Sequence, residues 1–453
     1  MHKVSFENQR IMKSLLAGTG AIMGLAVLKQ GWIYLAALFG LCLLMFWPVQ
    51  VALGGFAFLV PFDSDTALWN GTNAVSSTFV VGVVAVMVLI TVGLVFHRLE
   101  LPAKPALWWL LFVLWAAASI LWAYNQQEAI GRLPTMFSLY LFYVIVTCFR
   151  VTEKEFSGVV WLTIVGGCAA ALFSCYEFYN GISYHGLRGS LIIGNRQTDP
   201  NIFAASLLLP FSLAVGEFLG SSTLLRRAFM LLTSGVIALS IFITMSRGAL
   251  FALAVMLVIY LRRLRMGWRV FVPMIILAAA VMFAPTLLWQ RLEQSGITGG
   301  AGRTYIWQAG LAAFKDFAVT GAGLSNFPSI YDKYAGNAGA FVGLHRDPHN
   351  IYLETGVELG IVGLGLLLLA IGSQLRMAKR MQPSLRGVPA NLRAIACQAA
   401  AWGMLAASFF LGMLWFKAFW LVWIMLTLAH SERAAEKTTY PFRYHALQSS
   451  NAY

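Results

Sequence analysis

Apolar residues in this chain do not alternate with polar ones. They run continuously for roughly 17–25 residues at a time, the length a helix needs to cross a bilayer. Runs at or near this length fall at about 33–62, 78–96, 106–123, 134–149, 158–178, 201–220, 228–245, 248–261, 270–288, 351–373, 394–412 and 415–430. Counting 33–62 once gives about twelve spans. That first run contains Pro48, so it is either one kinked helix or a hairpin of two short ones. In lipid every backbone polar group must pair internally, which leaves helices or closed barrels. Unbroken rather than alternating apolar runs exclude the barrel. The pattern predicts an all-α polytopic membrane protein.

One long stretch, Trp289 to Gly360, breaks the pattern between spans 9 and 10. It holds Arg303, Lys315, Asp316, Asp332, Lys333, His345, Arg346, Asp347 and His349, too many charges to sit in lipid. The chain therefore divides into an N-terminal transmembrane bundle (1–288), a large loop domain with short helices (289–350), C-terminal transmembrane helices (351–430) and a tail (431–453). No repeat of 20–50 residues is visible. Residues 1–29 are basic and then moderately apolar, and read as a retained segment at the interface or as a short extra span. Inside the loop domain Ile306, Trp307, Gly310, Leu311 and Phe314 recur at helical spacing. They predict a helix lying on the bilayer surface with Trp307 at headgroup level.

Composition agrees. Hydrophobic residues make up 59% of the chain and charged ones 11%, against about 25% charged in soluble domains. The net charge of +14 would suggest nucleic acid in a soluble protein. Here most of it lies in short connections, so it sets orientation instead, and no nucleic-acid partner is expected. The segments 262–269 and 376–393 and the pair Arg226-Arg227 carry basic residues and no acid, which makes them cytoplasmic. Alternation then puts 63–77, 124–133, 180–200, the turn 245–248 and the long loop on the opposite side, and the tail in the cytoplasm. The five cysteines all lie in apolar segments, without zinc or disulfide spacing, and read as small hydrophobes.

Several polar residues on that opposite side are candidates for chemistry. His349 stands where the loop turns into a helix, with Asn350 as the N-cap. An imidazole with a pKa near 6.5 can take a proton from a hydroxyl at neutral pH. His345 makes a His-x-x-x-His pair with it, but Pro348 between them disfavours the helix a metal pair would need. Arg303 stands in the first turn of the amphipathic helix, where amides and a guanidinium suit a phosphate. Arg247, in a very short turn between apolar runs, carries a positive charge on the side where the charge rule disfavours one. Arg188 and Arg196 share that side, in a segment ending Asp199-Pro200-Asn201. Arg346 flanks His349, and Glu354 and Glu358 share a helix face near it, to orient it or pair with arginine. Asp63-Ser64-Asp65 has the look of a metal-binding acidic pair and reads more simply as solvated loop acids. Gly321 to Phe327 lacks the strand context of a nucleotide loop and reads as a tight turn. An arginine pocket plus one histidine can serve a lipid pyrophosphate donor, the guanidiniums neutralising the leaving group and the imidazole deprotonating an acceptor. Such a site needs no nucleotide, cofactor or metal.

The carrying motifs are Thr244-Met245-Ser246-Arg247-Gly248-Ala249, Gly302-Arg303-x-x-x-Trp307, Gly321-x-Gly323-x-x-Asn326-Phe327 and His349-Asn350-x-Tyr352-Leu353-Glu354. In this order, with this layout, the chain resembles the O-antigen ligase/polymerase superfamily of bacterial envelope enzymes. The resemblance implies a metal-independent, inverting glycosyltransferase of the GT-C type in the Gram-negative inner membrane, with its active site facing the periplasm. The implied donor is a glycan on undecaprenyl pyrophosphate, and for a ligase the acceptor is lipid A–core oligosaccharide, both held beside membrane lipid. His349 would be the general base, Arg303 and Arg247 the pyrophosphate ligands, and Arg188, Arg196, His345, Arg346 and Glu354 substrate contacts. Chain length and the single long loop favour the ligase. The O-antigen polymerase and the protein O-oligosaccharyltransferase share the motifs and stay open. A transporter of lipid or solute is the alternative of another class, opposed by polar residues that collect at one face rather than at the midplane.

Overall fold

The structure, a computed structural model, describes residues 44, 46–63, 76–185, 187–193, 196–264, 302–379 and 389–439. It is helical but for one antiparallel ladder of two-residue strands, β1 Ile192–Ile193 and β2 Arg196–Gln197. The helices are α1 (Pro48–Leu59), α2 (Ser77–Val95), α3 (Pro105–Ala118), α4 (Gln126–Cys148), α5 (Glu153–Tyr179), α6 (Pro200–Ser206), α7 (Leu208–Gly220), α8 (Leu224–Ile243) and α9 (Arg247–Leu264). After these come α10 (Arg303–Asp316), α11 (Phe327–Tyr334), α12 (Ile351–Lys379), α13 (Pro389–Ser408) and α14 (Lys417–Thr439).

Seven of the described helical stretches are long and apolar enough to cross a membrane: Ser77–Val95, Pro105–Trp122, Gln126–Cys148, Glu153–Tyr179, Pro200–Gly220, Leu224–Ile243 and Ile351–Lys379. Pro48–Phe62 and Lys417–His430 are shorter apolar helices. The chain is a multi-pass membrane protein. Two expected spans have helices that fall short on composition. α9 carries Arg247, Arg262 and Arg263, and α13 carries Asn391, Arg393 and Gln398. Residues 1–29, the expected span 270–288, Arg265, Arg269, most of the 63–77 loop and the tail beyond Thr439 lie outside the described residues.

Local chemistry explains where helices begin. α4 starts well before its apolar run, because Asn125 caps it by accepting from the Gln127 amide and Glu128 sits in the first turn. Thr152 and Glu155 form a capping box that starts α5 ahead of its apolar run. The span expected at 201–220 is two helices parted at Leu207, since Pro210 has no amide to offer and crowds the carbonyl one turn before it.

α13 lies at the centre, packed between α9 and α7 and against α14. It is rich in alanine, and small residues let helices approach closely where lipid supplies no hydrophobic push. Its polar residues find partners inside the protein. Gln398 donates to the Ala378 carbonyl at 2.9 Å. Arg393 donates to Glu217 at 2.7 Å and to Ser157 at 2.9 Å, and Arg226 reaches the other Glu217 oxygen at 2.6 Å.

The extramembrane unit α10–α11 has its own small core of Ile306, Ala309, Ala313, Phe327, Ile330, Tyr331 and Tyr334, closed by Val357 of α12. Much of the apolar face of α10 that its spacing predicts packs on protein. Ile306, Gly310 and Ala313 turn inward, Leu311 is 56% exposed, and Trp307 is half-buried against protein.

This unit is joined to α12 at a break. Gly360 leaves the helix with φ 67° and ψ −171°. The Ile361 amide donates to the Ala318 carbonyl at 2.8 Å, and those of Ala322 and Gly323 donate to Val357 and Glu358 at 2.9 and 2.8 Å. A Cβ at Gly360 would stand 2.1 Å from the Val319 oxygen, and one at Gly321 2.2 Å from the Glu358 oxygen, so both positions admit only glycine. The same turn docks on the α3–α4 connection. Tyr124 donates its amide to Ala322 at 2.8 Å, Leu324 donates to Ser119 Oγ at 3.0 Å, and the buried Asn326 side chain bonds both backbone groups of Asn125.

Replacing Glu217 by Ala leaves Arg393 buried without its counter-charge. The expected loss is about 3–5 kcal/mol, read as a lower unfolding midpoint of the full chain in detergent, whereas Ser157→Ala should cost far less.

Candidate active site

Four segments distant in sequence converge outside the spanning helices. The first is the strap from Tyr184 to Asn201. The Gly189 amide donates to the Ile243 carbonyl at 2.8 Å, and Arg188 Nε donates to the Thr244 carbonyl at 2.8 Å. Arg188 Nη2 also donates to Asn201 Oδ1 at 2.8 Å. Asp199 caps α6, accepting from the Asn201 and Ile202 amides at 2.7 and 3.3 Å, with Pro200 in the first turn. The strap therefore lies across the turn that carries Arg247.

That turn is the second segment. Met245 has φ 52°, an uncommon conformation for a residue with a Cβ. Ser246 Oγ accepts from the Ala249 amide at 3.4 Å and starts α9 with Arg247 as its first residue.

The third segment is the start of α10. Gly302 stands at φ 82° as its N-cap and packs on Val342, and Arg303 follows. Trp307, one turn on and hence on the same face, donates its indole N–H to the Pro348 carbonyl at 2.8 Å. This bond fixes the fourth segment, the turn that ends in His349, beside Arg303. His349 itself has φ 47°. Asn350 caps α12 as its sequence position suggested, accepting from the Tyr352 and Leu353 amides at 3.0 and 3.1 Å. Phe409 and Phe410, between α13 and α14, wedge against Trp307, with ring centroids 5.8 and 6.5 Å away. Phe410 also packs on Gly248, next to Arg247.

The electrostatics follow from this convergence. Burial lowers the Arg303 pKa, the Arg247 guanidinium lowers it further, and Asp199 opposes both. Two guanidiniums that repel at a partly buried position favour an anion between them, and both remain charged. Burial, then the Arg303 charge, hold His349 below its ordinary 6.5. Asp347 and Asp199 pull it back up, and Arg346 adds a smaller push downward. The imidazole is thus neutral at physiological pH, the form that accepts a proton.

Arg247, Arg303 and His349 therefore interact, and Arg188 joins them through Thr244. Other candidates stand apart. His345 is exposed and pairs with Asp332 at 2.6 Å. Arg346 is exposed and donates to the Val342 carbonyl at 2.8 Å. One Glu354 oxygen is buried against Gly412 with no hydrogen-bond partner. Glu358, expected to orient the histidine or meet an arginine, accepts from the Ser325 and Phe327 amides at 2.8 and 3.0 Å, and Arg132, which donates to Ser325 Oγ at 3.4 Å, is the arginine beside it. Arg196 lies in β2, its side chain outside the described part. Asp63 is held by Lys417 at 2.5 Å and by Thr78, while Asp65 lies outside the described residues. Asp199 escaped the sequence reading as a site residue. Its signal, an Asp-Pro-Asn helix start, shows a cap but not which charges the cap will face.

Residues 230–368 match the O-antigen ligase family. They include Arg247, Arg303 and His349. Over that stretch, less than half of its length, the chain is similar to this family. No curated protein matches it.

The lowered His349 pKa sets a sign. Between 6.5 and the folded value, the unfolded chain binds a proton that the fold resists, so stability falls as pH drops through that window. His349→Gln should remove this part of the loss, measured as the unfolding midpoint in detergent at pH 7 and pH 5.

Proposed function

We propose that the chain is an O-antigen ligase, an inverting, metal-independent glycosyltransferase of the GT-C type in the Gram-negative inner membrane. Its donor is a glycan on undecaprenyl pyrophosphate and its acceptor is a sugar hydroxyl of lipid A–core, joined at the periplasmic face. The observation that carries the proposal is that Arg247, Arg303 and His349, from three separated segments of the matched region, come close enough for Arg247 to act on Arg303 and Arg303 on His349, with the Trp307–Pro348 bond tying the last two segments.

The chemistry follows from that arrangement. The acceptor oxygen attacks the anomeric carbon from the face opposite the leaving group, and a new C–O bond forms. The bond from that carbon to the phosphate oxygen breaks, and its electron pair leaves with the pyrophosphate. Arg303 and Arg247 stabilise the growing negative charge through paired N–H donors. His349 takes the proton that the hydroxyl loses. Arg188 holds the turn under Arg247, and Asp199 tempers the positive field. Chain length and the single long loop favour ligation to core over polymerisation.

His349→Ala should abolish transfer while the protein still inserts, and wild-type glycan on lipid A–core in that variant would defeat the assignment. Arg303→Lys should lose on the order of a hundredfold in rate, since removing one such transition-state donor costs ~10²–10³ and an ammonium cannot replace a planar fork. Rate measured with purified donor and acceptor reads this, and activity should survive EDTA. Envelope glycans of a deletion strain separate the siblings. Loss of a ligase leaves bare core with polymer stranded on its carrier. Loss of a polymerase leaves core with one repeat, and loss of a protein-directed enzyme leaves lipopolysaccharide normal.

A further inference from the structure

His349 and Arg303 stand at the starts of different helices, which meet through Val357 and the Trp307–Pro348 bond. The histidine turn leads directly into α12, capped by Asn350. The arginine opens α10, which packs with α11 as a unit. Between α12 and this unit runs the turn 317–326, and one buried side chain clamps it. Glu358 is 4% exposed, and each of its carboxylate oxygens accepts one amide, Oε2 from Ser325 at 2.8 Å and Oε1 from Phe327 at 3.0 Å. Those amides lie at the start of α11, where backbone N–H groups have no carbonyl partner within the helix. Ser325 is held at φ 60°, a strained conformation that needs an external hold to persist. The backbone pairs at Gly360 fix the near end of the turn, and Glu358 fixes the far end.

We propose that Glu358 is a positioning residue for glycosyl transfer, its carboxylate setting the placement of the α10–α11 unit on α12 and so the spacing of Arg303 and His349. The proposal rests on the reading of those two residues as phosphate ligand and base. Glu358 touches neither substrate nor reacting atoms. It acts through the Ser325–Phe327 turn, and with that turn loosened only the Trp307–Pro348 bond and the packing around Val357 are left to hold Arg303 beside the imidazole, so their spacing widens.

The widening has a signature that a loss of folded protein does not. Arg303 is the largest charge effect on His349, ahead of Asp347 and Arg346 of its own loop and Asp199 of the strap. Moving Arg303 away lets the imidazole titrate at higher pH, so the acid limb of kcat/KM moves up.

The test uses the full chain in detergent with an undecaprenyl pyrophosphate-linked oligosaccharide and lipid A–core. It compares wild type, Glu358→Gln, Glu358→Asp and His349→Ala. Glu358→Gln has one acceptor oxygen for two amides. It should lose at least tenfold in kcat, raise KM for the donor, move the acid limb to higher pH and expose amides 318–334 to faster hydrogen exchange. Glu358→Asp keeps both acceptors on a shorter stem and should fall between, and it supplies the same readouts if the glutamine variant does not fold. An unchanged acid limb together with wild-type amide protection in a folded Glu358 variant overturns the proposal while His349→Ala remains inactive. Wild-type transfer by His349→Ala overturns the base assignment and the proposal with it, leaving the exchange data to report on the joint alone.

Discussion

A helix that stops at Gly360 and starts again is the constraint on which this molecule's outer half depends. The break turns Val357, Glu358 and Ile361 into partners for a stretch of loop backbone that would otherwise lie unpaired at the membrane edge. Irregular backbone is tolerated there only when protein satisfies it. The joint does so with three backbone pairs, one carboxylate and two glycines that allow the close approach. Because the same turn is also held by Asn125 and Ser119, the α10–α11 unit is wedged between α12 and the α3–α4 connection. It is docked as firmly as a span, although it has a separate core.

The charged cluster beside this joint owes its character to opposed charges in partial burial. Two guanidiniums alone would repel, and a lone imidazole beside them would lose its proton at any working pH. Asp199 and Asp347 offset the positive field. The uncommon backbone angles at Met245 and His349 belong to the two turns that present these groups. Neither turn holds its shape alone. Arg188 strap-bonds the first through Thr244, and Trp307 holds the second through Pro348.

Much of this was legible in the residues. Unbroken apolar runs announce spanning helices whatever packs around them, and Asn350 announces a helix start through local hydrogen bonds alone. Arg247, Arg303 and His349 stood out as candidates because a charge at a membrane edge needs a reason, and the fold brings them within reach of one another's charge. Relations across the chain were not legible. The run at 394–412 reads as an ordinary span, and only the fold shows that polar residues in its helix find partners in Glu217 and Ala378. Trp307 reads as an interface aromatic because nothing nearby in sequence offers its indole a carbonyl. Glu358 reads as an acid near a histidine, since its true partners, two amides about thirty residues earlier, belong to a turn whose shape depends on glycines rather than on charge.

The wedge made by Phe409 and Phe410 bears on how the protein comes into being. Chains emerge from the ribosome with residue 188 long before residue 349, and the aromatic pair that backs Trp307 and Gly248 emerges later still. A nascent chain halted anywhere short of that pair holds the arginines without the buttress that presses them toward the histidine. The two turns thus acquire their shared aromatic backing only when the segment joining the last two helices has been made.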